Sequence, residues 1–464
     1  MKIIVIGGGP AGMMAAGAAA QQGASVTLLE KNEKLGKKLY ITGKGRCNLT
    51  NDTDVQGLMG NIVTNPRFMH SAFYSMDSQG LMAFIESLGV PLKTERGGRV
   101  FPVSDKANDI NAALEVYLRR VGVTVQLNCV VEKIELTAEG RNLHVVGAGS
   151  SRPSLPEEND FDHTCQPFTM DISCGRENPA PTTCKAASCG TPPTFTIHTN
   201  KGDYNTDAII IATGGLSYPS TGSTGDGYTF AKNLGHNLIP THPSLVPLHA
   251  IEPWIPDLAG LSLKNVKLTT RVVGRIVYEA LGEMLFTPHG ITGPLALSAS
   301  AYLAGKDLQN TLITIDLKPA LSPEQLDARL LRDFEEHKNK DFVNALGGLL
   351  PQRLIKTIIE LSQIPPYTKV HTITRTQRTQ LAALLKNLEI RVNRNAGYKE
   401  AVITKGGVST KEVNPSTLMS KHVPGLFFAG EVLDVDALTG GYNMQIAFST
   451  GHLAGLSAAE YVAQ

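Results

Sequence analysis

The stretch MKIIVIGGGPAGMMAAGAAAQQGASVTLLE constrains this chain more than any other. A short apolar run, Lys2 to Ile6, enters a glycine cluster. A helix of small residues follows to about Gly23, and a second apolar run ends at Glu30. Gly7, Gly9 and Gly12 fill the three glycine positions of G-x-G-x-x-G. The first allows a tight turn, the second lets the backbone approach a pyrophosphate, and the third lets helix and strand pack closely. The helix start offers free N–H groups and a partial positive charge to phosphates. Glu30 can accept hydrogen bonds from both hydroxyls of an adenosine ribose, and its charge disfavours the 2′-phosphate of NADP. Strand, helix and acidic residue together predict a Rossmann-like α/β unit.

The end of the chain chooses between dinucleotides. GLFFAGE reads as a strand running into Gly430 and Glu431, and TGGYNMQIAFSTG then opens a helix. Two-dinucleotide-fold flavoproteins end this way, with an acidic residue at the ribityl chain and a helix N-terminus at the flavin pyrimidine. That helix end favours the negative charge of reduced flavin. IIIATGG, Ile209 to Gly215, is the other such return. The expected cofactor is therefore FAD. A second G-x-G-x-x-G after a strand is not evident, so NAD(P)H is only a candidate electron donor.

The rest of the chain reads as insertions. Strand-like runs with alternating or β-branched residues begin near His236, and SPEQLDARLLRDFEEHK carries a capping-box pattern in Ser322, Pro323 and Gln325. The expected organisation is an FAD domain at 1–235 and 411–464, an inserted β-rich substrate domain at 236–320 and 370–410, and a small helical domain at 321–369. A Pro-, Ser-, Thr- and Cys-rich stretch, 148–193, lacks apolar periodicity and reads as a disordered insertion.

Charge and hydropathy narrow the partners. The net charge is +1, with no basic run, which argues against nucleic acid and against an anionic membrane surface. No apolar stretch is long enough to cross a bilayer, and the start lacks a signal-peptide layout. A cytoplasmic enzyme acting on a small molecule is the expectation, with its six cysteines as free thiols or metal ligands rather than structural disulfides.

Several long motifs resemble the BaiN/RdsA-type (YhiN-like) family of bacterial FAD flavoproteins: LGKKLYITGKGRCNLTN, GGRVFPVSDKANDINAAL, SYPSTGSTGDGYTFAKNLGH, GEMLFTPHGITGPLALSAS, and TKGGVS with GLFFAGEVLDVDALTGGYNMQIAFSTGHLAG. They span nearly the whole chain, the stretch 148–193 excepted. The resemblance implies an FAD domain carrying a β-barrel-like domain and a small helical domain, and an NAD(P)/FAD-dependent oxidoreductase. Carried onto this chain, it implies cofactor contacts from Gly7, Gly9, Pro10, Ala11, Gly12, Glu30, Lys31, Lys38, Thr42, Gly43, Arg46, Asn48, Thr213, Gly214, Gly430, Glu431, Gly441, Tyr442, Asn443 and Gln445. Val131 is expected at the adenine edge, and Arg99 and His289 are candidates to face substrate.

Cys47 poses a separate question. Dithiol flavoenzymes carry C-x₄-C in the loop after the second strand, but position 52 is Asp here. A dithiol relay at this loop is excluded, and Cys47 is expected to pack. Arg46 is expected to pair with phosphate or to polarise flavin or substrate. Asp226 reads as the cap of a helix that buttresses the flavin. Cys165, Cys174, Cys184 and Cys189 lack the closely paired spacing of zinc ligands, so no metal is expected. The reading is hydride transfer between a small organic substrate and flavin. An oxygen-using oxidase of a small amine or aminoketone, releasing hydrogen peroxide, and a flavin-containing binding or regulatory protein are the alternatives.

Overall fold

The structure, a computed structural model, describes residues 1–137 and 194–464. The expectations for 148–193, including its four cysteines, lie outside the described residues.

Five parallel strands form the central sheet, in the order Leu426–Phe428, Ala208–Ile211, Lys2–Ile6, Ser25–Leu29, Thr124–Gln126. Their side chains are almost all apolar because both faces are covered: successive residues such as Ile3, Ile4, Val5 and Ile6 are all buried. The helix Pro10–Gln21 follows the first strand, and the C-terminal helix Tyr442–Ala463 lies against it. Glycines make that contact possible. A Cβ at Gly451 would come within 2.3 Å of the Ala11 carbonyl oxygen, and one at Gly455 within 2.3 Å of that of Ala15. The two helices therefore run parallel, backbone to backbone, and the C-terminal helix projects about two turns beyond the N-terminus of the first.

The inserted region is a closed six-stranded antiparallel barrel, in the order Leu248–Ala250, Gly290–Thr292, Arg275–Thr287, Ser262–Val272, Thr311–Asp316, Leu388–Asn395. Closure leaves no unpaired edge. Two antiparallel strands, Leu238–Ser244 and Ile403–Val408, carry the chain into and out of it. The helix Pro294–Leu303 packs on the barrel wall. A Rossmann-like domain with an inserted barrel and a helical packet is thus the observed fold class.

The helical packet has its own apolar core, which includes Leu326, Leu330, Phe342, Leu354, Ile358 and Leu381 and is continuous with that of the barrel. Ser322 caps its first helix through the reciprocal bonds expected of the motif: its hydroxyl accepts from the Gln325 N–H at 3.2 Å, and the Gln325 side chain accepts from the Ser322 N–H at 2.9 Å. One helix extends past the expected boundary at 369. Arg375–Lys386 starts from a second capping box, Thr374 with Gln377, and buries Leu381 and Leu385 in the same core. The expected β-rich range 370–410 therefore opens with a helix, for which one apolar stripe suffices.

Candidate functional site

A cleft of about 1190 Å³ opens over the carboxyl ends of the parallel strands. Its floor is the glycine turn. Gly7 has φ +105°, and a Cβ there would lie 2.6 Å from the Ala212 carbonyl oxygen. A Cβ at Gly12 would lie 1.8 Å from the Gly7 oxygen. Both positions need glycine for close packing. Gly9 differs: its Cβ would meet nothing within 4 Å, because it faces the open cleft. The first helix begins there, its first closing bond running from the Met13 N–H to the Gly9 oxygen at 2.9 Å.

Glu30 is buried at the rim of this turn. Its carboxylate accepts from the Gly8 N–H at 2.6 Å, and from the Asn32 N–H and Nδ2 at 2.8 and 2.7 Å. Lys31 beside it pairs with Asp226 at 2.6 Å. That carboxylate was expected to cap the helix Asp226–Asn233. Instead Gly225 is the cap residue, in the left-handed conformation at φ +84°, and Asp226 is the first helical residue. The left-handed Gly225 takes the cap position, so Asp226 falls one residue later and its carboxylate pairs with Lys31, which follows the second strand.

At the far end of the cleft stands Glu431. It accepts from Lys38 Nζ at 2.7 Å, from the Ser217 hydroxyl at 2.6 Å and from the Thr404 N–H at 2.7 Å. Asn443, Met444 and Ala447, on the first turns of the C-terminal helix, line the wall beside it. The cleft thus receives two helix N-termini, a buried ribose-type carboxylate at one end and a second carboxylate at the other. A dinucleotide presents acceptors and hydroxyls in that sequence, and the open face of Gly9 leaves room for its diphosphate. The residues present fit FAD.

Of the residues expected to hold the cofactor, Gly7, Gly9, Pro10, Ala11, Glu30, Lys31, Lys38, Thr42, Val131, Thr213, Gly214, Gly430, Glu431 and Asn443 line this cleft. Others do not. Gly12 lies beneath the turn. Gly43, at φ +56°, packs against the Asn48 backbone. Arg46 faces away: its guanidinium pairs with Glu95 and Asp105 and lies 4.1 Å from the Phe101 ring centre. These two carboxylates take up four of its five N–H donors and raise its own pKa further. Arg99 is exposed and donates to the Arg96 carbonyl at 3.1 Å. His289 stacks on His249, 5.5 Å away, at a separate polar recess on the barrel.

The loop Arg46–Asn51 instead clamps the turn before the C-terminal helix. With its amide oriented to suit its neighbours, Asn48 accepts from the Gly441 N–H at 3.0 Å and donates to the Thr50 carbonyl at 3.1 Å. Asn51 Nδ2 donates to the Gly440 carbonyl at 3.1 Å, and the Thr50 hydroxyl donates to Gln445 Oε1 at 2.5 Å. Gly440 and Gly441 have φ of +132° and +102°, so the turn depends on both glycines and on this clamp. Gln445 is fully buried within it. Tyr442 is half-buried, its ring against Gly440.

Cys47 lies at φ +59° in the same loop and is fully buried in the apolar core. Burial pushes its thiol up to about 12. Cys129, also buried, lines the cleft. Among the described residues no group of histidine, cysteine and carboxylate side chains is arranged to hold a metal ion. Asn32, Ser223, Phe230, Val402 and Ile403 also line the cleft. Ser223 and Phe230 lie within the motif SYPSTGSTGDGYTFAKNLGH, whereas no motif marks Asn32, Val402 or Ile403, which tertiary folding brings there.

The family model described as HI0933-like protein Rossmann domain matches residues 1–152 and 181–457. A 3-dehydro-bile acid delta(4,6)-reductase of Clostridium scindens is 30% identical over 467 residues, covering 99% of both chains. A ribosomal RNA dihydrouridine synthase of Escherichia coli is 29% identical over 452 residues, covering 96% of this chain and 95% of its own. Among solved structures, a 3-ketosteroid-delta4-(5alpha)-dehydrogenase of Rhodococcus jostii aligns with a TM-score of 0.48 at 14% identity, covering 98% of this chain and 96% of its own.

Proposed function

This chain belongs to the HI0933-like family of FAD-dependent oxidoreductases, and from that premise we propose that it reduces a carbon–carbon double bond conjugated with a carbonyl group. The observation that carries this reading is the apolar wall that Val402 and Ile403 give the cleft. Behind it they pack with Val63 and Leu438 from the FAD domain and Leu297 from the barrel helix. Such walls suit an uncharged, planar, unsaturated substrate and exclude water from the reacting carbon. The names of the two relatives support the same bond type. A 3-dehydro-bile acid 4,6-diene is conjugated with its ketone, and dihydrouridine differs from uridine at the ring double bond next to a carbonyl.

Bound in the cleft, FAD supplies the hydride that such a reduction adds to the carbon β to the carbonyl. The chain's part is to hold and orient. The turn Gly7–Gly12 takes the diphosphate, Glu30 the ribose and Glu431 the ribityl chain. The Asn48–Asn51 clamp fixes the turn before Tyr442, so the N-terminus of the C-terminal helix faces the flavin ring. Its partial positive charge stabilises a reduced ring by roughly 0.3–2 kcal/mol. The buried thiol of Cys47, without a partner cysteine, leaves the flavin as the redox centre. One glycine turn of this type argues that a nicotinamide donor lacks a cradle of its own, so NADH and NADPH are expected to reduce the flavin slowly.

The test starts with holoenzyme reduced photochemically without oxygen. It is mixed with 4-androstene-3,17-dione, or with a uridine-containing RNA oligonucleotide. Flavin reoxidation with a two-hydrogen mass gain in the steroid is the expected result. Reoxidation by the RNA alone would make the substrate a nucleic acid, against the charge argument. Reoxidation by neither would overturn the proposal.

A further inference from the structure

Two loops bridge the dinucleotide cleft. The strands Ala208–Ile211 and Ser25–Leu29 flank Lys2–Ile6 in the sheet, one on each side, and all three run the same way. The loops that leave the outer two therefore meet across the end of the first strand, where the glycine turn lies. They meet at both ends of the cleft. Beside Glu30, Lys31 pairs with Asp226 at 2.6 Å and also donates to the Thr224 hydroxyl, which donates to the other Asp226 oxygen at 2.9 Å. Asn32 Nδ2 donates to the Thr221 carbonyl at 3.1 Å. A Cβ at Gly222 would lie 2.5 Å from that same nitrogen, so the backbone there is pressed against Asn32. At the Glu431 end, Lys38 donates to the Ser217 hydroxyl at 2.6 Å. Lys31, Asn32, Lys38, Thr221, Gly222 and Asp226 all line the cleft, as do Gly7 and Gly9 on its floor.

The motif SYPSTGSTGDGY, which begins at Ser217, supplies one side of these bridges. Its start is fixed. The Leu216 and Ser217 N–H groups donate to Thr404 Oγ1 at 2.8 and 3.1 Å, and the Tyr218 N–H donates to the Tyr398 carbonyl at 3.1 Å. Beyond it, Gly222 and Gly225 stand at φ +96° and +84°. Glycine changes φ at little steric cost, so both positions can act as hinges. The Lys31 and Asp226 side chains are 26% and 37% exposed, at the rim, where water can replace each partner as they separate. FAD is wide at both ends, at the adenine and at the isoalloxazine, and narrow at its diphosphate. A cofactor reaching from Glu30 to Glu431 cannot slide out end-on past bridges at both ends.

We propose that residues 219–225 are a strap over the bound dinucleotide, latched by Lys31 to Asp226 and Thr224 and by Asn32 to Thr221, and that FAD enters and leaves only when this latch opens. The latch depends on FAD as the resident cofactor and not on which substrate is reduced. It differs from a cofactor contact in its kinetics. A contact exists only with FAD bound, so its loss speeds release alone. A latch closes the cleft with or without FAD, so its loss speeds entry and release together and leaves the affinity nearly unchanged.

The experiment compares wild type with Lys31→Met, Asp226→Asn and the pair. Release is read as exchange of bound FAD for radiolabelled FAD in the holoprotein. Uptake is read as the quench of FAD fluorescence on mixing with the full chain freed of cofactor. Each single variant should speed both release and uptake about three- to tenfold, as the loss of one partly screened ion pair and its hydrogen bond would give. The dissociation constant should stay within about threefold, and the pair should be no faster than the faster single variant. In wild type the uptake rate should level off as FAD is raised, at a ceiling that both variants lift. Faster release with unchanged uptake would make Lys31 and Asp226 ordinary cofactor contacts and overturn the latch. Wild-type uptake that stays proportional to FAD concentration would overturn it as well. Both results leave the FAD assignment and the reductase reading standing. Wild-type protein that takes up no FAD at all would remove the latch and the cofactor assignment together.

Discussion

Lys38 and Glu431, 393 residues apart in sequence, meet across the cleft at 2.7 Å. Only 21% and 12% of their side chains are exposed. A pair so shielded is more than a surface ion pair. Lys38→Ala strands a carboxylate held by Ser217 and Thr404, and should lower unfolding free energy by roughly 1–3 kcal/mol. Glu431→Gln in the same background should recover part of that loss. Denaturant titration of the four proteins reads the coupling, and additive effects would show that the pair is not a unit.

The three-glycine turn separates packing from binding. Gly12→Ala drives a methyl into the Gly7 carbonyl and should cost about 1–3 kcal/mol of stability. Gly9→Val should leave the melting temperature of cofactor-free protein within a few degrees, since its side chain enters open space. It should nonetheless purify without flavin. Absorbance at 450 nm and thermal melts distinguish the two, and equal melts for both variants would contradict the geometry.

Cys47 should behave as a core residue. Its thiol titrates near 12, above the ordinary value of 9.0, because burial disfavours the thiolate. The folded state therefore binds more protons than the unfolded state between those values, and the Cys47 contribution to stability falls as pH rises through that window. Cys47→Ser should keep the flavin spectrum and most of the turnover, and should flatten stability above pH 9. Native protein should resist thiol reagents at this position. Rapid labelling of Cys47 in folded holoenzyme would refute the assignment.

His236 works in the opposite pH range. It is 4% exposed, 2.9 Å from the Ser420 hydroxyl and 3.3 Å from Glu412, with His422 behind that carboxylate. Burial is the largest influence and lowers its pKa below 6.5. As pH falls through 6.5 the unfolded chain takes up a proton that the folded one refuses, so stability is lost toward acid. A His236→Gln variant should show a shallower loss as pH falls below 6.5, read by melts at each pH.

What sequence could and could not disclose follows from reach. The glycine turn and the Ser322 cap are local: Gly7 and Gly12 lie five positions apart and Ser322 and Gln325 three, so spacing alone identifies them. Arg46 is the opposite case. Its chemistry suggested phosphate, but Glu95 and Asp105 occupy it from 49 and 59 residues away. Asp226 likewise had a local reading as a cap, but Gly225 takes that position and Lys31, 195 residues away, pairs with the carboxylate. The helix Arg375–Lys386 escaped notice because its polar first turn hides a narrow apolar stripe. The clamp formed by Asn48, Thr50 and Asn51 could be read as a loop against something, but its partner, the turn at Gly440, lies almost 400 residues downstream.

The backbone contact of Gly451 and Gly455 with Ala11 and Ala15 has a consequence for how the molecule is made. These partners leave the ribosome about 440 residues apart. The first strand and helix must therefore wait, with one face uncovered, while the barrel and helical packet are synthesised and fold from their own nearer contacts. Sequestration of that early face falls to chaperones or to provisional burial, and closure is a late step of high contact order. A nascent chain stalled before Gly451 should be rich in barrel structure and unable to retain flavin.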